Sequence, residues 1–249
     1  DPFTQLSLNK SIANLKARNI FKDVNYKISE GSAKNLKAID ISVEEKPTGE
    51  VSAGAGVGTN GGTFAFSVKE NNYLGEGKNV GFNMEIDQES VKGTLNYTNP
   101  NYDFLGNAIR YYLTSETNDQ PDQGYENTII GAGISTTFEQ YNDVYTTLGI
   151  NAAHDDLQTL DSASASLKKQ SGTFDEISGT YGFTFDKRNR SFMPTDGSII
   201  SFNQSLPIYA DKSFISNTLS ASTYRTITED VIGATKIYFS AINGLGSDD

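Results

Sequence analysis

The chain has 249 residues, of which 36% are hydrophobic and 20% charged, with no cysteine and a formal net charge of -11. The absence of cysteine excludes a disulfide framework and thiolate metal sites, and the acidic balance excludes nucleic acid as a partner, because neutralising phosphates takes an excess of Lys and Arg. No run of about 18 apolar residues occurs, so no helix is expected to span a bilayer, and the mean hydropathy of -0.45 by itself reads as soluble.

Thr4 to Asn19 reads as a helix that Thr4 or Ser7 can cap, with Leu8, Ile12 and Leu15 on one face. Two alternating segments follow, Val24/Tyr26/Ile28 and Ile39/Ile41/Val43, divided by a turn at Glu30-Gly31-Ser32. This is a small α+β module, and about 46 residues is marginal for a separate fold, so part of it is expected upstream of Asp1.

The rhythm changes at Pro47. From Glu50 the chain alternates apolar and polar residues in segments of roughly 8–12 residues, the period of a strand. Thr63 to Lys69 places Phe64, Phe66 and Val68 on one face; Asn79 to Asp87 places Val80, Phe82, Met84 and Ile86 on one face and polar residues on the other. Eleven strands are predicted: 50–59, 63–72, 78–87, 90–99, 107–116, 125–137, 141–154, 175–187, 197–207, 213–227 and 230–243. Further apolar faces are Ile109/Tyr111/Leu113, Val144/Thr146/Leu148/Ile150 and Ile177/Tyr181/Phe183/Phe185; Arg110, Tyr112, Asn79, Asn83, Thr180 and Thr184 face the other way. A soluble sandwich needs a dry layer between its sheets, whereas most of these strands have a strongly polar second face. The economical closure is an outer-membrane barrel, apolar outside and polar inside. An odd strand count predicts further strands beyond Asp249.

The connections fall into two sets. Asn60-Gly61, 87–89, 115–124, 155–174 and 208–212 are polar, and two are long; 71–75, 99–106, 138–143 and 190–197 are rich in aromatics, Gly and Pro. Long polar loops suit the extracellular side, and aromatic-flanked turns the periplasmic side. The N-terminal module then lies in the periplasm, with Tyr73, Tyr102, Phe104 and Phe192 as interface residues of the turns.

Few residue patterns suggest chemistry. Gly56-Val57-Gly58-Thr59-Asn60-Gly61 matches a dinucleotide fingerprint, but a strand follows it where that loop must open a helix, so a glycine-rich strand and turn is preferred. Ala53 to Gly58 forms the most glycine-rich strand, which fits either a strand bent beneath a neighbouring loop or a functional seam. His154 with Asp155, Asp156 and Asp161 is read as a solvated loop rather than a metal site. Lys187, Arg188 and Arg190 are read as a solvated turn ahead of a headgroup site. No nucleophile motif accompanies the single His, so neither an enzyme nor a cofactor is expected.

Several of these segments resemble one family. Leu15 to Val24 looks like the end of a POTRA helix and its following strand, and Val43-Glu44-Glu45-Lys46-Pro47-Thr48-Gly49 like a POTRA-to-barrel junction. Glu70 to Gly77, Thr98 to Tyr102 and Phe192 to Gly197 look like successive periplasmic turns. In order and at this spacing they resemble the BamA family of POTRA-plus-barrel assembly factors of the Gram-negative outer membrane. The resemblance implies residues 1–47 as the C-terminal part of the last POTRA domain and 48–249 as the N-terminal part of a transmembrane barrel of roughly sixteen strands. It also implies a non-enzymatic role: outer-membrane proteins are folded and inserted through a lateral gate, with assembly-machinery lipoproteins and the lipid bilayer as further partners. The gate strand would be Glu50, Val51, Ser52, Ala53, Gly54, Ala55, Gly56, Val57, Gly58 and Thr59, to which a client strand adds by main-chain pairing. Related translocation-assembly or two-partner-secretion transporters share the architecture, and a passive channel or adhesin barrel would also explain the alternation.

Overall fold

The computed structural model describes residues 3–18, 20–33, 35–58, 61–190, 193–229 and 231–246. Helix α1 (Gln5–Ala17) is capped by Thr4, whose hydroxyl accepts the Ser7 N–H at 3.1 Å. Strands β1 (Phe21–Glu30) and β2 (Lys37–Glu45) pair antiparallel, with Val24 opposite Val43, Tyr26 opposite Ile41 and Ile28 opposite Ile39. The apolar stripe predicted for the helix is the one it uses: Leu8 and Ile12 are buried on Val24, flanked by Leu15 and Phe21. The helix covers only one end of this small sheet, since Tyr26, Ile28, Ile39, Ile41 and Val43 remain 36–47% exposed.

The rest of the chain is an 11-stranded antiparallel sheet in strict sequence order. Its strands are β3 (Gly49–Gly58), β4 (Gly61–Tyr73), β5 (Lys78–Ile86), β6 (Ser90–Asn99), β7 (Ala108–Gln120), β8 (Tyr125–Tyr141), β9 (Val144–Thr159), β10 (Gly172–Asp186), β11 (Gly197–Ala210), β12 (Phe214–Thr228) and β13 (Val231–Gly244). The expected number of strands is therefore present, each paired to its neighbour in sequence.

Directly opposed residues share a face, so the registers trace each face across the whole sheet. Phe66 opposes Met84, Val68 opposes Phe82, Phe82 opposes Leu95, Leu95 opposes Leu113, and Leu113 opposes Ala132. The row system continues through Ile134–Ile150, Leu148–Tyr181, Phe183–Phe202, Phe202–Leu219 and Leu219–Phe239. The opposite face carries Ser52, Ser67, Asn83, Thr94, Thr114, Ser178, Ser205 and Ser216. A mainly apolar and a mainly polar face thus run from β3 to β13, the apolar one interrupted at Gln204 and Asn217; the alternation predicts this as far as β11, since the last two strands alternate poorly.

Strand ends depart from the sequence reading. The long polar loop expected at 115–124 shrinks to 121–124, because β7 and β8 keep pairing through Thr117–Thr128 and Asn118–Asn127. The loop expected at 155–174 shrinks to 160–171 and holds a one-turn helix α2 (Ala165–Lys168). At the other end, β8 and β9 extend until only Asn142 and Asp143 separate them, Asp143 taking φ 65. Beyond the apolar belt both strand faces are polar, so alternation vanishes while the backbone ladder continues.

Candidate functional site: the free edge of the first long strand

Because adjacent strands alternate in direction, the connections β4–β5, β6–β7, β8–β9, β10–β11 and β12–β13 lie at the end of the sheet where β3 begins. This is the near rim, and it carries the helix–sheet unit; the other five connections form the far rim. The two sets are those that the sequence separates.

Glu50, Val51, Ser52, Ala53, Gly54, Ala55, Gly56, Val57 and Gly58 all lie in β3; Thr59 falls outside the described residues. Among the described residues β3 pairs β4 alone, from Gly49 opposite Glu70 to Gly58 opposite Gly61, and its other edge is unpaired. Such an edge offers a row of main-chain donors and acceptors to another strand. Among the described residues β13 is likewise paired on one side only, but the two strands differ. The β13 ladder is lined by large side chains, including Ile237, Tyr238, Phe239 and Ile242, whereas β3, apart from Glu50, is built of Gly, Ala, Ser and Val. A Cβ added at Gly54 or Gly56 would meet no atom within 4 Å, and neither glycine has a positive φ. Among the described residues, then, no atom closes on these positions, and the reading of a strand bent under a neighbouring loop draws no support from them. Beside Gly54, on the polar face, lies a hollow of about 530 Å³ that also meets Ser52, Ala65, Ser67, Asn83, Glu85 and Lys92.

On the near rim, Tyr73 ends β4 and is followed by Leu74 at φ 57. Tyr102 and Phe104 belong to the β6–β7 connection, where Tyr102 donates its N–H to Asn107 at 2.9 Å and Phe104 is 96% exposed. Asp103 braces that loop by accepting the N–H groups of Leu105 and Asn107 at 3.0 and 3.1 Å and the Asn107 side-chain amide at 2.7 Å. Partial burial opposes the charge, but these donors hold the Asp103 carboxyl below its ordinary range. Phe192 lies outside the described residues.

His154 is not in a loop. It sits in β9 with its Nδ1 at 2.6 Å from Asp175 of β10, and no group able to hold a metal forms among the described residues. Arg188 grips Asp186 through Nε at 2.9 Å and Nη2 at 2.6 Å, and Arg190 Nε donates to the Met193 carbonyl at 2.6 Å. The basic turn thus spends these two cations on bracing the β10–β11 connection. Two polar clusters escaped the sequence reading: Thr48, Glu70 and Asn72 at the start of β3, and Tyr181–Gln204–Asn217 across the apolar face. The polar run Glu70-Asn71-Asn72 at the end of an alternating strand was the available signal for the first.

A family comparison decides the relationship: the Omp85 superfamily domain matches residues 72–249. The chain belongs to the Omp85 superfamily. Its fold is similar to that of BamA from Haemophilus ducreyi lacking POTRA domains 1-3, at a TM-score of 0.74 and 19% identity over 96% of this chain and 50% of that one. It is also similar to CdiB from Escherichia coli (TM-score 0.59, 16% identity, 97% of this chain and 49% of that one) and CdiB from Acinetobacter baumannii (0.55, 10%, 95% and 47%). This Omp85 chain therefore spans about half the length of these solved structures. At these identities the likeness concerns the fold, a barrel-type antiparallel sheet behind a small α+β unit.

Proposed function

We propose that this Omp85 chain belongs to an outer-membrane assembly factor that folds and inserts barrel proteins without an enzymatic step. Residues 1–47 are the C-terminal part of its last POTRA domain, in the periplasm, and residues 48–249 the N-terminal part of its transmembrane barrel. The apolar face then meets lipid, the near rim is periplasmic and the far rim extracellular. Tyr73, Tyr102, Phe104 and Phe192 mark the periplasmic interface.

The observation that carries the reading is the make-up of β3: ten residues, mostly Gly, Ala, Ser and Val, with open space over Gly54 and Gly56 and, among the described residues, β4 as its one partner. A client strand pairing along its full length would form about ten main-chain hydrogen bonds, each contributing roughly 1 kcal/mol net. Because main-chain groups are common to every sequence, such an edge can serve many clients. Lipid then drives release into the membrane, because an open edge cannot persist in hydrocarbon. Assembly-machinery lipoproteins complete the partner set.

The test uses the full-length protein and a stalled client. A Cys in the stretch Glu50–Val57 should crosslink to the client's terminal strand, and one at Ile130–Ile134 should not. Equal crosslinking at both places refutes the gate. The likeness to CdiB supports a second reading, a secretion transporter of the same superfamily. Depletion separates the two: general loss of outer-membrane barrels marks the assembly factor, and loss of one exported protein marks the transporter.

A further inference from the structure

The helix–sheet unit meets β3 and the β4–β5 connection through a chain of hydrogen bonds and close packing. Lys46 N–H donates to the Ile20 carbonyl at 3.2 Å, which ties the end of β2 back to the unit. Two residues later Thr48 is held from two directions. Its hydroxyl donates to the Glu70 carboxylate, and its carbonyl accepts the Asn71 N–H at 3.3 Å and the Asn71 side-chain amide at 3.2 Å. The same Glu70 oxygen accepts the Asn72 N–H at 2.7 Å, and the Asn72 side-chain oxygen accepts the Gly77 N–H at 2.7 Å. Gly77 is buried at φ +66, and a Cβ there would lie 3.3 Å from Arg18 Nη1 and 4.0 Å from Ile20 Cδ1. Gly77 thus lies close against Arg18 and Ile20 of the unit, a neighbourhood of packing rather than of hydrogen bonds.

A β-bulge makes this chain of contacts possible. Glu70 opposes Val80 and Tyr73 opposes Lys78, so β4 carries one residue more than β5 over that interval. The extra residue takes Asn71 and Asn72 out of the ladder, turning both amide donors of Asn71 toward Thr48 and the Asn72 N–H toward Glu70. Opposite Glu70 stands Gly49, where a Cβ would come within 3.3 Å of the carboxylate, so the small residue leaves the acid room to reach Thr48.

From this geometry we infer that Glu70 is a positioning residue that couples the orientation of the helix–sheet unit to the pairing of the first residues of β3, Gly49–Val51, with β4. Among the described residues it alone hydrogen-bonds both arms: Thr48, which directly precedes β3, and Asn72, which leads through Gly77 to the neighbourhood of Arg18 and Ile20. A displacement of the unit pulls on Gly77 and Asn72, loosens Glu70, and frees Gly49 to Val51 from β4. The consequence for client entry rests on the reading of β3 as a gate; the mechanical coupling does not.

The experiment uses full-length protein in bilayers, with spin labels at Ser32 on the unit and Asn142 on the near rim. Glu70→Ala should broaden the distance distribution between the labels. It should also speed amide exchange at Gly49–Val51 by about ten-fold or more, the effect of losing a charge-assisted hydrogen bond, while Ile130–Ile134 remain protected. Glu70→Gln keeps an acceptor and should restore both readouts. Thr48→Val cuts one arm only, and serves if the alanine variant fails to fold: exchange should rise with the distance distribution little changed. Unchanged exchange at Gly49–Val51 overturns the coupling, as does uniform loss of protection across the sheet, which marks a merely structural role. If both local readouts shift as stated and client insertion keeps its rate, the coupling stands and the gate reading falls.

Discussion

Replacing both Gly54 and Gly56 by alanine tests what the glycines of β3 supply. Neither position demands glycine by conformation or by space: a Cβ would meet nothing within 4 Å and neither φ is positive. Each alanine should therefore act through the unfolded or frayed strand, stabilising the paired one by roughly 0.5–1 kcal/mol. The two sites stand two residues apart on the polar face, opposite Ala65 and Thr63, and share no partner, so the effects should nearly add. The sum of about 1–2 kcal/mol corresponds to roughly a 5- to 30-fold shift of the fraying equilibrium. Amide exchange across Ser52–Val57 in bilayers should slow by that factor. Client insertion should slow with it if release of β3 from β4 limits the reaction. Faster exchange in the double variant would refute the claim that this face is open. Slower exchange with unchanged insertion would refute the claim that weak pairing of β3 is what the glycines provide.

Four further outcomes are expected. Gln204 accepts the Tyr181 hydroxyl at 2.7 Å and donates to Asn217 within the apolar face, so Gln204→Ala should cost about 1–3 kcal/mol in bilayer unfolding titrations by orphaning both; changing Tyr181 to Phe, Gln204 to Leu and Asn217 to Leu together should cost far less. Gly197 has φ +96, and a Cβ there would stand 2.1 Å from the Lys187 carbonyl oxygen. Gly197→Ala should destabilise the β10–β11 hairpin by more than about 2 kcal/mol, read from the temperature at which compact gel mobility is lost. Asp87 accepts the Ser90 hydroxyl at 2.7 Å and the Glu89 N–H at 2.9 Å, which hold its carboxyl below the ordinary range. A depressed folded value means that the turn is stabilised above the unfolded carboxylate range and loses this as pH falls through the folded value; Asp87→Asn should abolish that acid response of β5–β6 exchange. Finally, a Cys at Ser164 should react with an impermeant reagent in intact cells and one at Asn72 should not; the reverse result inverts the assigned topology.

The sequence determined the class of this protein because a strand's faces alternate every residue. Val80, Phe82, Met84 and Ile86 declare a strand, its register parity and its apolar side without reference to any neighbour, and a succession of such segments declares the sheet. The free first edge was legible too, since a chain-order meander leaves its first strand with one neighbour. Where alternation stops, so does the local signal. Thr117, Asn118, Thr128 and Asn127 are polar on both faces, and only the partner strand opposite them extends the ladder. His154 reads as a loop residue until β10 brings Asp175 beside it. The bulge at Glu70–Tyr73, the hydrogen-bond chain from Thr48 to Gly77, and the open space above Gly54 and Gly56 belong to tertiary structure alone. Each depends on which residues of distant strands oppose one another. That register is set by the sum of many cross-strand contacts rather than by any local run of residues.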